Sequence, residues 1–139
     1  MASLSDFDRR AILDGAAVAA MISVPVQFVA QLALDEEERS GWAAVLALVI
    51  IGGLILGAGV AAWRQDRQTP LSHGIVTATG VFLSIQAILT VLNIIQGDPV
   101  RWGRIATSFA LSMVAGILGG LLGSSLLRRG LSPIDRSRR

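Results

Sequence analysis

Apolar residues along this chain come in four long runs, not in the short alternations of strands or the narrow stripes of helices that float on a soluble core. The runs cover residues 11–34, 42–63, 72–96 and 103–127. About 20 consecutive apolar residues in a helix cross a hydrocarbon core of about 30 Å. Every run meets that length, so the pattern predicts four membrane-spanning helices. The expected fold class is all-α: a polytopic membrane protein built as a four-transmembrane-helix bundle over residues 11–127. A short segment, 1–10, precedes the bundle, and an Arg-rich tail, 128–139, follows it.

Local signals set the expected ends. Ser5, with Asp8 three residues on, is an N-cap candidate for the first helix. Ser40-Gly41 precedes the second. Thr69-Pro70 and Asp98-Pro99 read as cap-and-proline pairs opening the third and fourth. Gly130 and Pro133 stop the last. Pro25, inside the first run, removes the amide that would bond to Met21 and is expected to kink that helix.

Composition sharpens the membrane reading. Of the 139 residues 53% are hydrophobic and 16% charged, and the charges sit in clusters between the runs. All twelve basic residues are arginine, and the formal net charge is only +2. The arginines flank spans instead of lining one face with aromatics, which argues against nucleic acid as a partner. There is no cysteine, so disulfides and thiol chemistry are excluded. The first run, of about 24 residues, exceeds a signal-peptide core of about 7–15. It is therefore expected to stay as a span.

Counting arginines predicts orientation. Arg9, Arg10, Arg64, Arg67, Arg128, Arg129, Arg136, Arg138 and Arg139 fall on one side; Arg39, Arg101 and Arg104 fall on the other. The positive-inside rule places the richer side, and both termini, in the cytoplasm of a cell inner (plasma) membrane. Trp42 and Trp102 fall at the outer boundary and Trp63 at the inner one. The tail arginines are expected to rest on anionic lipid.

Small residues mark helix contacts, because lipid offers little hydrophobic drive between helices and close packing takes over. Gly53 and Gly57 form one row, continued by Ala61. Gly116 and Gly120 form a second with Ser124, and Gly119 and Gly123 a third. Two rows on the fourth span suggest a surplus face, hence a homo-oligomer or a larger membrane-protein partner. Gly52, Gly59 and Arg64 also recur 64 residues later as Gly116, Gly123 and Arg128, which suggests two parallel helical-hairpin repeats.

Polar residues inside the runs are the candidate chemistry. Ser23, Gln27 and Gln31 share a face of the first span, and Gln86, Thr90 and Asn93 a face of the third. Amides facing lipid are costly, so the two faces are expected to meet in the outer half. They would serve either as interhelical hydrogen bonds or as the lining of a cavity. Asp14 is the one carboxylate within an apolar run. It reads as a partner of Arg10 at i−4, or as a coupling carboxylate of the small-transporter kind. His73 is expected at the interface with no second metal ligand near it. The Asp35–Glu38 stretch reads as a solvated loop. No nucleophile–base pair, catalytic carboxylate pair, cofactor motif or metal set can be assembled, so a non-enzymatic protein is expected.

Gly52-Gly53 through Ala62, then Pro70-Leu71-Ser72-His73-Gly74, resembles a family of small bacterial four-span membrane proteins of unknown function. The run Gly116-Ile117-Leu118-Gly119-Gly120-Leu121-Leu122-Gly123 resembles that family's last span. The resemblance implies a four-helix membrane bundle and supplies no activity. Two functions follow as expectations: an accessory or scaffold subunit packing against other membrane helices, or a small transporter or lipid-handling protein with an outer-half polar cavity between spans one and three.

Overall fold

The computed structural model describes residues 7–32, 36–66, 68–97 and 99–131, with side chains for all of these except 30–32 and 36–40. Its elements are α1 (Arg9–Leu32), α2 (Glu36–Arg64), α3 (Pro70–Gln96) and α4 (Trp102–Arg128). All four are long and apolar enough to cross a membrane, and the described residues contain no strand. The chain is an all-α four-helix bundle, and its four apolar helices fit a multi-pass membrane protein.

Helix ends differ from expectation in instructive ways. Ser5 lies outside the described residues, and Asp8 caps α1 instead: its Oδ1 accepts from the Arg10 and Ala11 amides at 3.0 and 3.3 Å. Glu36, Glu37 and Glu38 are not a loop but the opening of α2. Glutamate is a good helix former, and the positive end of the helix dipole favours carboxylates there. Pro70 opens α3 as expected, while Thr69 makes no side-chain cap. Asp98 lies outside the described residues, and Pro99 does not open α4, which starts at Trp102. Gly97, at φ 78°, ends α3. Gly130 takes the left-handed conformation beyond α4 (φ 74°). Its amide donates to Leu127 and that of Leu131 to Leu126, which satisfies the last carbonyls. Pro133 lies outside the described residues.

Around the bundle the order is α1, α2, α4, α3, and α2 also packs against α3 across the middle. Among the described residues α1 and α4 do not touch. The hairpins α1–α2 and α3–α4 therefore lie side by side in the same sense. Each is closed by small residues. A methyl on Gly57 would meet the Ala19 Cβ at 2.6 Å, and one on Gly74 would meet the Gly116 carbonyl at 2.6 Å. The reciprocal contacts Gly15–Gly57 and Gly74–Gly116 make Gly57 the counterpart of Gly116, and Ala61 that of Gly120, a register different from the repeat expected. Gly52 meets nothing within 4 Å and is not the counterpart of Gly116.

Both glycine rows of α4 are occupied within the bundle, contrary to the surplus face expected. Gly119 and Gly123 press on α2, where added methyls would lie 2.5 Å from the Ala58 Cβ and 2.6 Å from the Ala62 Cβ. Gly116 and Gly120 press on α3 at Ile75 and Leu71. The second row exists because α4 has two neighbours, and each requires close approach.

The core is inverted relative to a soluble protein. Its fully buried side chains are small, and the largest of them are His73, Thr77, Ser23 and Ser112. Leu, Ile, Val and Met side chains such as Met21, Leu48, Ile88 and Ile95 point outward. Lipid solvates those chains as well as a core would, so small residues are left to draw the helices together.

Candidate functional site: a polar cavity where the glycine contacts end

Call the end where α1 begins and α4 finishes the terminal end, and the other the distal end. Every buried side chain among those described lies at or toward the terminal end from the level of Ser23, Gly53, Val81 and Ser112. Beyond that level, across 24–29, 41–52, 82–97 and 99–111, none is buried. The reason is local composition. The glycines facing a neighbouring helix all lie in the terminal half, whereas Gly41, Gly52, Gly80 and Gly103 face open space. Close backbone approach at glycine is thus confined to the terminal half, while the distal half meets through larger side chains such as Phe82 and Phe109, whose rings lie 6.1 Å apart.

A cavity of about 200 Å³ opens at this boundary. Ser23 and Gln27 of α1, Phe82, Ile85 and Gln86 of α3, and Ser108 and Ser112 of α4 line it, with Ile50, Ile51 and Leu54 of α2. Ser23 and Ser112 are buried at its base, while Gln27 and Gln86 are half-buried on its walls. Among the described residues no charged side chain contributes to the lining. Pro25 stands between Ser23 and Gln27 without interrupting α1. It leaves the Met21 carbonyl without its helical donor.

The candidate cluster is thus brought together in part. Ser23, Gln27 and Gln86 share the cavity. Thr90 joins through Gln86, whose Nε2 donates to the Thr90 Oγ1 at 3.3 Å. Asn93 is half-buried further toward the distal end and does not line the cavity. The backbone of Gln31 continues α1, but its side chain lies outside those described. The bond made by Gln86 runs along α3, not across to α1, so the amide acts as lining and glycine contacts do the helix pairing. Ser108 and Ser112 carried no signal in sequence, because a serine in a glycine-rich helix reads as one more small residue. Ser112 Oγ donates to the Phe109 carbonyl at 2.7 Å. Ser23 Oγ and Thr77 Oγ1 are buried and find no partner among the described residues.

At the terminal end, Asp14 does not pair with Arg10. Its carboxylate lies 3.2 Å from Arg64 of α2, in a pair about one third exposed on one side and two fifths on the other. Antiparallel packing brings Arg64 at the end of α2 beside the second turn of α1, which sequence spacing along one helix could not show. Asp14 does not line the cavity. His73 is fully buried. Its Nε2 accepts from the Asp8 amide at 2.9 Å, and its Nδ1 lies 2.9 Å from the Thr69 carbonyl. With Nε2 accepting, Nδ1 is the ring nitrogen placed to donate to the Thr69 carbonyl. Phe7 lies against the ring at 5.3 Å between centroids. Nearby, the Gln65 Oε1 accepts from the Thr69 amide at 3.1 Å, and the Trp63 indole donates to the Leu131 carbonyl at 2.6 Å. These contacts make a clasp joining the start of α1, the α2–α3 connection and the end of α4. Among the described residues no group of three His, Cys, Asp or Glu is placed to hold a metal.

Comparison with protein-family models, with curated proteins and with solved structures gives no match. The glycine-pattern resemblance is therefore without support from a family model.

Proposed function

We propose that this protein is a non-enzymatic membrane protein that binds a small polar or amphiphilic molecule within the bilayer, as a lipid-handling protein or small carrier. One observation carries the reading: side chains of Gln27, Gln86, Ser108 and Ser112, from three helices, surround one uncharged cavity at the level where close packing ends. Amides within a membrane are costly unless they face a partner or a water-filled space, and Gln27 and Gln86 stand on cavity walls. In the proposed orientation the termini are cytoplasmic in a bacterial inner membrane, by the arginine asymmetry. The cavity then faces the outer leaflet. Arg128 and Arg129, exposed at the end of α4, would sit among anionic headgroups, each contributing about 1 kcal/mol near the surface.

The accessory-subunit reading loses the argument from a surplus glycine face, since both rows of α4 are occupied internally. It is an alternative outcome of the same experiment. Wild type and a Gln27→Leu/Gln86→Leu variant would be extracted with native lipid, and co-isolated molecules identified by mass spectrometry. A small molecule or lipid enriched with wild type and lost from the variant supports the binding role. A stoichiometric second protein retained by both, with no small molecule enriched, would replace it with the accessory role.

A further inference from the structure

The cavity is not the only space between α1 and α3. A second hollow of about 280 Å³ runs toward the terminal end between these two parallel helices. Ile12, Ala16 and Ala20 of α1 and Val76, Gly80 and Ser84 of α3 are among its lining. Its surface is almost wholly apolar. Ser84 turns its hydroxyl onto the Gly80 carbonyl at 2.9 Å, and the buried Thr77 Oγ1 has no exposed surface to offer. Gly80 opens it further, since a methyl there would meet nothing within 4 Å.

Ile85 belongs to the walls of both spaces. Along α1 the groove residues Ile12, Ala16 and Ala20 pass directly to the cavity residues Ser23 and Gln27. From Ile12 to Ala20 the helix rises about 12 Å, close to the length of one leaflet's acyl chain, about 15 Å. The polar cavity exceeds the roughly 150 Å³ that accommodates a benzene ring, enough for a headgroup of glycerol size. Neither space alone reaches the roughly 300 Å³ typical of small-molecule pockets; together they do.

Resting on the binding role proposed above, we infer that the ligand is an uncharged single-chain amphiphile. Its hydroxylated headgroup lies in the cavity between Gln27 and Gln86, and its acyl chain in the α1–α3 groove. The head is neutral for two reasons. Among the described residues the cavity has no charged side chain to meet an ion. Gln27 and Ser23 also lie about 8 and 14 Å below the distal end of α1 by helix rise, a depth at which an unpaired charge is expensive. Amide and hydroxyl groups can both donate to and accept from a polyol headgroup.

The test uses the full chain in nanodiscs and radiolabelled 1-palmitoylglycerol. Wild type should bind one molecule, with glycerol and palmitoyl-lysophosphatidylglycerol each at least tenfold weaker. Gly80→Leu, which fills the groove where there is room, should weaken 1-palmitoylglycerol at least tenfold. Ser84→Leu, on an exposed position of the same groove, should do the same if Gly80→Leu fails to fold. Unchanged binding in both groove variants, with loss in Gln27→Leu/Gln86→Leu, would overturn the chain assignment and leave the cavity's role intact. Tighter binding of the charged lysolipid would overturn the neutral head. Absence of 1-palmitoylglycerol binding overturns the inference alone if another co-isolated molecule depends on Gln27 and Gln86. It overturns both proposals if none does.

Discussion

Replacing Gly57 with alanine would set a methyl group 2.6 Å from the Ala19 Cβ, with the Gly15 backbone also in the way. Forcing a tightly packed contact apart in this way costs about 1–3 kcal/mol. Gly57→Ala and Gly119→Ala should each lower the unfolding midpoint in detergent. Gly52→Ala, whose methyl meets nothing, should leave it unchanged or raise it, since alanine favours helix over glycine by up to about 1 kcal/mol. The Asp14–Arg64 pair belongs to the same scale and is weaker. Both side chains are a third or more exposed, so Asp14→Asn should cost no more than about 1 kcal/mol, read in the same unfolding assay. Which residues matter at this scale was partly legible in the chain. Gly53, Gly57, Gly119 and Gly123 announced close packing by their spacing, and Gln27 and Gln86 announced an inward face. Their partners were not legible, because Gly57 against Ala19, or Asp14 against Arg64, depends on how two helices are set against each other. Spacing within one helix does not record that.

At the scale of elements, the start of α1 depends on a residue 65 positions away, since the His73 ring accepts the Asp8 amide at 2.9 Å. His73→Phe keeps the bulk and removes the acceptor. The amides of Asp8 to Ala11 should then exchange with deuterium faster, while those of α2 near Ala58 keep their protection; equal protection in both variants would remove the clasp. In sequence His73 looked interfacial because it follows Pro70 by one turn. Its burial comes from Phe7 and Asp8 folding over it, a long-range contact that periodicity does not carry. The helices themselves were legible to within two residues at most of their ends, because length and apolarity fix a span. The exception is the start of α2, in an acidic run where a cap signal competes with helix propensity. At α4 the span start agrees, and only the reading of Pro99 as its opening residue does not.

For the whole molecule, the absence of cysteine allows each face to be probed one thiol at a time. In intact cells an impermeant maleimide should label Gly103→Cys, exposed at the distal end, and should leave Ser72→Cys, exposed at the terminal end, unlabelled. The opposite pattern would invert the proposed orientation. The architecture followed from the four runs, but the contrast between a closed half and an open half did not. Seen as one string, the glycines are spread through all four spans. Only the assembled bundle separates those that meet a neighbour, such as Gly74 and Gly116, from those with open space beside them, such as Gly80 and Gly103.

That contrast has a mechanical consequence. Stiffness against pulling the helices apart resides in the terminal half, where backbones touch, and that half works as a hinge block for the other. Lateral pressure from the leaflet around the distal half would act on helices that meet there through side chains such as Phe82 and Phe109 rather than through backbone. The same pressure in the opposite leaflet meets interlocked backbone. In a bilayer the molecule would thus yield more toward the leaflet around its distal half than toward the other, and widening of that half would part Gln27 from Gln86.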